Sequence, residues 1–193
     1  MLMSENLRPT VWRTARALCN ENRLRFLRAV FEANGSKGVS QLAEEIGVSI
    51  STASIYLRAL NARGLVDVRR VSSRVFYGGG QDRSLPEAQQ LQSAFARLFA
   101  RKDIPDDWTT RIIPILRAYS NARRIDIVRC VSDNRPLSFT SLAKLVGIPE
   151  TSLLRHLSTL AAGGVVVTDE RRNYILGSPR NSLARAMLKI ATA

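Results

Sequence analysis

Histidine and cysteine are nearly missing from this 193-residue chain, which has one of the first and two of the second. His156 has no histidine or cysteine near it at ligand spacing, so neither a metal site nor a Ser-His-Asp arrangement can be built on it. Cys19 and Cys130 are too far apart for a disulfide scaffold and sit in no C-x-x-C pair. Two buried thiols in a reducing compartment are expected instead. No run of about 18 apolar residues occurs, and the opening MLMSENLRPT has no apolar stretch fit for a signal peptide. A cytoplasmic protein without membrane contact is therefore expected. No G-x-x-x-x-G-K or G-x-G-x-x-G follows a strand pattern, and Gly78-Gly79-Gly80 reads as a flexible exit from a hairpin rather than a phosphate loop. The expectation is a protein that is not an enzyme, with no cofactor and no metal.

Acidic residues are also scarce: 16 Asp plus Glu stand against 29 Lys plus Arg, giving a net charge of +13. A balance this basic points to a polyanionic partner. The excess is shared, with +6 in residues 1–78, 0 in 79–106 and +7 in 107–193, which differs from a basic tail on an inert body. With 45% apolar residues, the chain can still bury a core.

The first and second halves of the chain repeat each other on either side of the middle segment. LAEEIGVSISTASIYLRALNARGLV (Leu42 to Val66) aligns without gaps on LAKLVGIPETSLLRHLSTLAAGGVV (Leu142 to Val166) at an offset of 100. Upstream, Ala17 to Val30 aligns on Ala118 to Val131 at an offset of 101. The shared positions are mainly apolar or glycine, including Gly47/Gly147, Leu57/Leu157, Leu60/Leu160 and Gly64/Gly164, whereas the residues between them differ. One scaffold with two different surfaces follows.

In the first copy, Pro9 can open a helix to about Cys19, and Asn20 or Asn22 can cap a second that carries Leu24, Leu27, Val30 and Phe31 and ends at Asn34-Gly35. Ser40 is the expected cap of the helix QLAEEI, Gly47 makes a left-handed turn, and Ser49 caps a longer helix over Ile50 to Ala62. This is a helix-turn-helix. Ala53, Leu57 and Leu60 share its inner face, leaving Ser51, Thr52, Ser54, Ile55 and Arg58 outward. The period then changes to two in LVDVRRVSSRVFYGG, a β-hairpin turning at Val71-Ser72-Ser73, with Arg69, Arg70 and Arg74 near its tip.

The second copy predicts helices at about 109–119, 122–132, 141–146 and 150–162, with Pro114 kinking or starting the first, then a hairpin around Asp169 to Asn173. Its outward helix offers Glu150, Thr151, Ser152, Leu154, Arg155 and Ser158, and its hairpin mixes Asp169 and Glu170 with Arg171 and Arg172. Between the copies, Leu85 to Lys102 reads as a helix opened by Ser84 and Pro86, with a stripe of Leu91, Phe95, Leu98 and Phe99. That stripe packs either on its own domains or on the same helix of a second chain. Ser178-Pro179 is the expected start of a terminal helix carrying Leu183, Met187, Leu188 and Ile190, which either dimerises or caps the second domain.

The fold expected is mainly α with small β-hairpin wings: tandem winged helix-turn-helix domains joined by a helical linker. The boundaries are a winged-helix DNA-binding domain at 1–80, a linker at 81–106, a second winged-helix domain at 107–178 and a C-terminal helix at 179–193.

The order helix, helix, helix-turn-helix, hairpin, with V-S-x-S-T-x-S-x-x-L-x-x-L-x-x-x-G-L-V from Val48 to Val66, resembles the ArsR-type winged-helix regulators. Leu154-Arg155-His156-Leu157 is similar to that family's R-H-L stretch. The resemblance implies a recognition helix in the major groove, a wing on the backbone or minor groove, and flanking helices at a dimer interface. Metal sensing is not implied, because the paired cysteines of the metal-sensing members have no counterpart in QLAEEI or SLAKLV.

The residues and the resemblance together predict a transcriptional regulator, a repressor, that binds double-stranded DNA as a homodimer; a single chain could also act as its own pseudo-dimer. The predicted DNA-binding residues are Ser49, Ser51, Thr52, Ser54, Ile55 and Arg58 on the helix and Arg69, Arg70 and Arg74 on the wing. The second copy adds Thr151, Ser152, Arg155, His156, Arg171 and Arg172, with His156 placed either beside phosphate or in plain packing. A small-molecule effector is left open. Tandem winged helices also resemble chromosome-segregation adaptors and plasmid-type replication initiators; three wing arginines and the +13 charge separate a DNA binder from the adaptor.

Overall fold

The computed structural model describes residues 10–72, 74–79, 86–134 and 136–193. Pro9, Ser73, Gly80, Ser84 and Leu85, which figure in the expectations above, lie outside the described residues. The chain divides into two compact units, one made of residues 1–10 and 17–109, the other of residues 11–16 and 110–193.

In the first unit, α2 (Glu21–Ala33) starts where the Asn20 side chain accepts a hydrogen bond from the Arg23 backbone N–H, and it ends at Asn34 in the left-handed region. Of the two caps the sequence offers, Asn20 and Asn22, the first is the one used, and the stop falls at Asn34 as expected. The helix α1 (Val11–Leu18) precedes it, and its residues 11–16 belong to the second unit. Buried Leu24, Leu27 and Val30 face α3 (Val39–Ile46) and α4 (Ile50–Asn61), the helix-turn-helix pair. Between these two helices Gly47 holds φ +75°, a conformation a Cβ would strain. The cap of α3 is Gly38, not Ser40. Its N–H donates to Oε1 of Gln41 at 2.9 Å, so the side chain reaching back from the first turn does the capping and Ser40 lies inside the helix.

The hairpin β1 (Val66–Val71) and β2 (Arg74–Gly79) pairs antiparallel, with Val71 opposite Arg74 and Arg70 opposite Val75. A bridge from Gly38 to Phe76 ties it to the entrance of α3. The helix α5 (Pro86–Phe99) completes this unit by packing on α2. Leu91 and Phe95 of its apolar stripe are buried, Leu98 and Phe99 are half-buried, and Phe31 meets Phe99 edge to face at 5.7 Å. The buried Gln92 amide donates to the Gly64 carbonyl. The stripe is thus covered within its own unit.

The second unit repeats the plan. The helix α6 (Trp108–Tyr119) runs through Pro114 rather than starting there. The helix α7 (Ala122–Asp133) is capped by Asn121, the repeat counterpart of Asn20, and α8 (Phe139–Val146) by Ser138. Gly147 with φ +65° turns the chain into α9 (Glu150–Ala162), whose Leu153, Leu157 and Leu160 are buried. The hairpin is shorter, with β3 (Val166–Thr168) and β4 (Tyr174–Leu176), and a Leu137–Tyr174 bridge repeats the tie seen in the first unit. The last helix, α10 (Ser182–Ala191), packs on α7. It starts later than Ser178-Pro179 predicts, because the Gly177 N–H still bonds the Val165 carbonyl at 2.9 Å and Asn181 supplies the cap. Neither Cys19 nor Cys130 is in a disulfide, and both are only half-buried, where buried thiols were expected. Among the described residues no helix is long and apolar enough to cross a membrane.

The last turn of α9 rests directly on α6. A Cβ built on Gly163 would stand 2.7 Å from the Ala118 Cβ and 2.9 Å from the Pro114 carbonyl. The backbone there is ordinary right-handed helix, so alanine would suit it conformationally and only space forbids it. Gly163→Ala is expected to destabilise the protein by about 1–3 kcal/mol, the range for overpacking a tight contact. Urea unfolding checks this; an unchanged midpoint would mean that α9 yields freely.

Candidate nucleic-acid interface

The outward face of α4 begins with hydroxyls. Ser49 Oγ accepts from the Thr52 N–H at 3.2 Å and lies 2.9 Å from both Ser51 Oγ and Thr52 Oγ1. Capping therefore comes first for Ser49, and it fixes the positions of the other two. Ser51 is exposed, while Thr52 and Ser54 are half-buried. Ile55 is 55% exposed, and Ile50, which the sequence reading left out, is 57% exposed on the same helix. Exposed isoleucines so close to a row of hydroxyls suit a thymine methyl better than solvent.

Arg58 folds back along the helix, its Nε donating to the Ser54 carbonyl at 3.1 Å. It does not stand alone there. A concavity between α4 and the hairpin is lined by Ser54, Arg58, Asn61, Arg70, Val75 and Tyr77, among others. Burial raises the Tyr77 phenol above its ordinary value, and the charges of Arg58 and Arg70 partly offset that shift, so both guanidinium groups act on one spot.

The hairpin register separates the three wing arginines. Val68, Arg70, Val75 and Tyr77 share the face that meets α4, because residues directly opposite in a ladder lie on one side and alternate residues along a strand agree. Arg69, Phe76 and Arg74 take the other face, where the Arg69 guanidinium lies 6.0 Å from the Phe76 ring centroid. By sequence alone these arginines form a single group at or near the tip. In the structure Arg70 joins the recognition helix, and Arg69 and Arg74 look away from it.

The second unit places its residues in the same frame with other chemistry. Thr151 and Arg155 are exposed and Ser152 is half-buried. The N-cap is Pro149, which offers no side-chain oxygen. At the positions matching Ser54 and Arg58 stand Leu154, 54% exposed, and Ser158, so the pairing of a helix arginine with a wing arginine is lost. The wing turn is organised around Asp169, whose Oδ1 accepts the N–H groups of Arg171 at 2.9 Å and Asn173 at 2.8 Å. These bonds, the one from Asn173 first, hold the carboxyl below its ordinary value. Arg171 and Arg172 are exposed on that turn, and Arg172 is left-handed at φ +61°.

One pair of positioning residues escapes a reading based on periodicity. Arg23 donates to the Ala17 carbonyl at 3.0 Å, and Arg124 donates to the Ala118 carbonyl at 2.9 Å, so each reaches back to the end of the preceding helix at the repeat offset of 101. Tyr56 lies under Arg23 at 5.3 Å, and His156, its repeat counterpart, lies beside Arg124. The matching identities Arg23/Arg124 were visible in the alignment, but their target carbonyls were not.

This geometry favours packing as the role of His156. Burial, and then the charges of Arg124, Arg155 and Arg123, push its imidazole below the ordinary value. A base held low in the folded state binds fewer protons than the unfolded chain as acidity increases. Its contribution is intact above the ordinary imidazole value and is lost as pH falls through it towards the folded value. Wild type should therefore lose more thermal stability than His156→Gln between pH 7.5 and pH 5.5 (both set by the ordinary value of about 6.5). Parallel melting curves for the two proteins across that interval would exclude the assignment.

Among the described residues no group of three His, Cys, Asp or Glu side chains could hold a metal ion.

Two helix-turn-helix units, each followed by a hairpin wing, define this chain as a tandem winged helix-turn-helix protein. Residues 20–68 match the family described as bacterial regulatory protein, arsR family, and residues 121–170 match the IclR helix-turn-helix domain. An HTH-type transcriptional regulator of Mycobacterium tuberculosis (strain ATCC 25618 / H37Rv) is 39% identical over 67 residues, 35% of this chain. The match spans 29% of that relative's length. No solved structure matches the chain.

Proposed function

We propose that this protein is a sequence-specific DNA-binding transcriptional regulator, without enzymatic activity, that represses by occupying its site. The first unit reads bases by setting α4 in the major groove, with Ser51, Thr52, Ser54, Ile55 and Arg58 towards base edges and Arg69, Arg70 and Arg74 on phosphates. The observation that carries this reading is the convergence of Arg58 and Arg70 on one concavity beside exposed hydroxyls, in a chain of net charge +13. A guanidinium on the helix can take guanine bidentately while one on the wing takes the adjoining phosphate.

The second unit has a lesser part in this reading. Thr151, Ser152, Arg155, Arg171 and Arg172 touch backbone, and Leu154 and Asp169 replace the base-reading and cationic groups of the first unit. A homodimer on a near-palindromic site fits the class. Such a dimer must pair through surfaces other than the apolar stripes of α5 and α10, since Leu91, Phe95, Leu183 and Met187 are already buried. The related Mycobacterium tuberculosis regulator and the two family matches support regulation as the output.

Selection of bound duplexes from a random pool tests the proposal. Enrichment of one motif per chain is expected, with two-fold repetition if the chain pairs. A pool that stays random while the protein still binds DNA would reduce the function to non-specific binding.

A further inference from the structure

The two units carry their positive charge on opposite edges of the second helix of the helix-turn-helix. Beside α4 the cations lie on the wing edge, where Arg58 and Arg70 line one concavity. Their counterparts in the second unit are Ser158 and Glu170, so that edge loses both guanidinium groups. Towards α7 the change runs the other way. Arg123 and Arg155 replace Asn22 and Ile55, and Ala122 replaces the acidic Glu21. Two arginines leave one side of the helix and two arrive on the other.

These arginines gather around His156. The helices α7 and α9 pack together, with Arg123 and Arg124 in the first turn of one and Arg155 and His156 side by side on the other. Leu154, Arg155 and His156 step round α9 from the wing edge to the α7 edge, about 100° at a time. Arg124 is held by the chain itself, donating to the carbonyls of Ala118 at 2.9 Å and Arg117 at 2.7 Å and to the Ser120 hydroxyl at 3.0 Å. Arg155 is exposed. Arg123 meets Asp126 at 3.7 Å with its side chain 63% exposed, and an ion pair so open to water is worth little. Arg124, Arg155 and Arg123 each push the His156 imidazole down, so their fields overlap at one spot. The first turn of α7 contains no acidic residue, although the positive end of a helix dipole favours acids and disfavours cations. Arginines at that end gain by meeting an anion.

We infer that Arg123 and Arg155 hold backbone phosphates of a DNA duplex along the α7 side of α9, an assignment that rests on the proposed role of the chain as a DNA binder. Arg124 adds charge from its fixed place. A helix in the major groove lies between two phosphate strands. The first unit meets the strand on its wing side through Arg70, and the second unit meets the strand on the side away from its wing. Phosphates recur along that edge and match the guanidinium fork, and residues 107–193 carry the net charge of +7 that such a partner needs. These contacts hold the second unit on the duplex without reading its sequence.

His156 is the only histidine of the chain, so its imidazole proton signal reports on this site alone. Proton NMR of the untagged full chain across pH, free and with the selected duplex, is the first test. At about 0.15 M salt, screening confines the effect to phosphates within roughly 8 Å. Binding should shift the signal and raise the imidazole value, because a phosphate offsets the arginine charges. Changing Arg123 and Arg155 together to Ala should flatten the plot of log affinity against log salt by about 1.8, roughly 0.9 for each contact, and weaken selected and random duplexes alike. Changing Arg180 and Arg185 together to Ala removes the same charge from exposed positions elsewhere in the second unit and should leave the slope as it is. Melting curves check the fold of both variants. A selected duplex that binds without moving the His156 signal, or an unchanged slope in the Arg123 and Arg155 variant, would overturn the site and leave sequence reading by α4 intact. Equal flattening in both variants would also overturn it, since overall charge would then explain the effect. Random duplexes that bind as tightly as the selected one while the signal moves would uphold the site and remove sequence-specific reading.

Discussion

Arg58→Ala should bind the selected duplex about ten- to a hundredfold more weakly than wild type while binding random DNA nearly as well, since a bidentate contact to a base is worth about 1–3 kcal/mol of discrimination. The basis is positional. Arg58 sits one turn beyond Ser54 on the outward face, and its guanidinium, held at the Ser54 carbonyl, lies over the concavity that faces the wing. It plays no part in the core, which on α4 consists of Ala53, Leu57 and Leu60, so the substitution should leave the melting temperature unchanged. Competition binding at one fixed salt concentration, with specific and random duplexes side by side, measures the ratio. An equal loss on both would move Arg58 from base to phosphate.

The wing makes a different prediction. With Arg69, Arg70 and Arg74 all changed to Ala, the plot of log affinity against log salt should flatten by roughly 0.9 for each phosphate contact removed, up to about 2.7 for all three. Affinity for random DNA falls together with affinity for the selected site, because phosphates carry no sequence. The register divides the effect further. Arg70 shares the α4 side with Tyr77, whereas Arg69 and Arg74 share the opposite side. Single substitutions should therefore be unequal, with Arg70→Ala altering discrimination as well as the slope and Arg69→Ala altering the slope alone. A triple variant with an unchanged slope would place the wing away from the duplex.

Between the two units, the same backbone frame supports unequal chemistry. Ser49 becomes Pro149, Ser54 becomes Leu154, Arg58 becomes Ser158, and the wing positions of Arg69 and Arg70 become Asp169 and Glu170. None of these changes touches the buried stripe, so they alter what is presented and not what is packed. A duplicated domain in which the core persists and the outward groups diverge is free to take a second task.

Most of the architecture was legible in the chain itself. The repeat at offsets of 100 and 101 is a direct property of the sequence, and the cap at Ser49, the choice of Asn20 or Asn22 for α2, the left-handed turn at Gly47 and the inner face of α4 follow from interactions spanning three or four residues. Such signals survive in one dimension because their partners are close along the chain. Starts that depend on a neighbour were read less well. Gly38 replaces Ser40 through the reach of Gln41, and α10 waits for Asn181 because Gly177 is still held by Val165.

The identity of every outward group was written in the sequence: the hydroxyls of α4, the arginines of the hairpin and the charge that suits a polyanion. Only the fold decided which of them meet. Arg70 joins Arg58 while Arg69 turns away, Arg23 and Arg124 find carbonyls on the helix before them, and the α5 stripe is covered by α2. The reason is geometric: a helix or strand fixes which side of itself a residue takes, but the partner across the gap is set by how separate elements pack, and no local period encodes that.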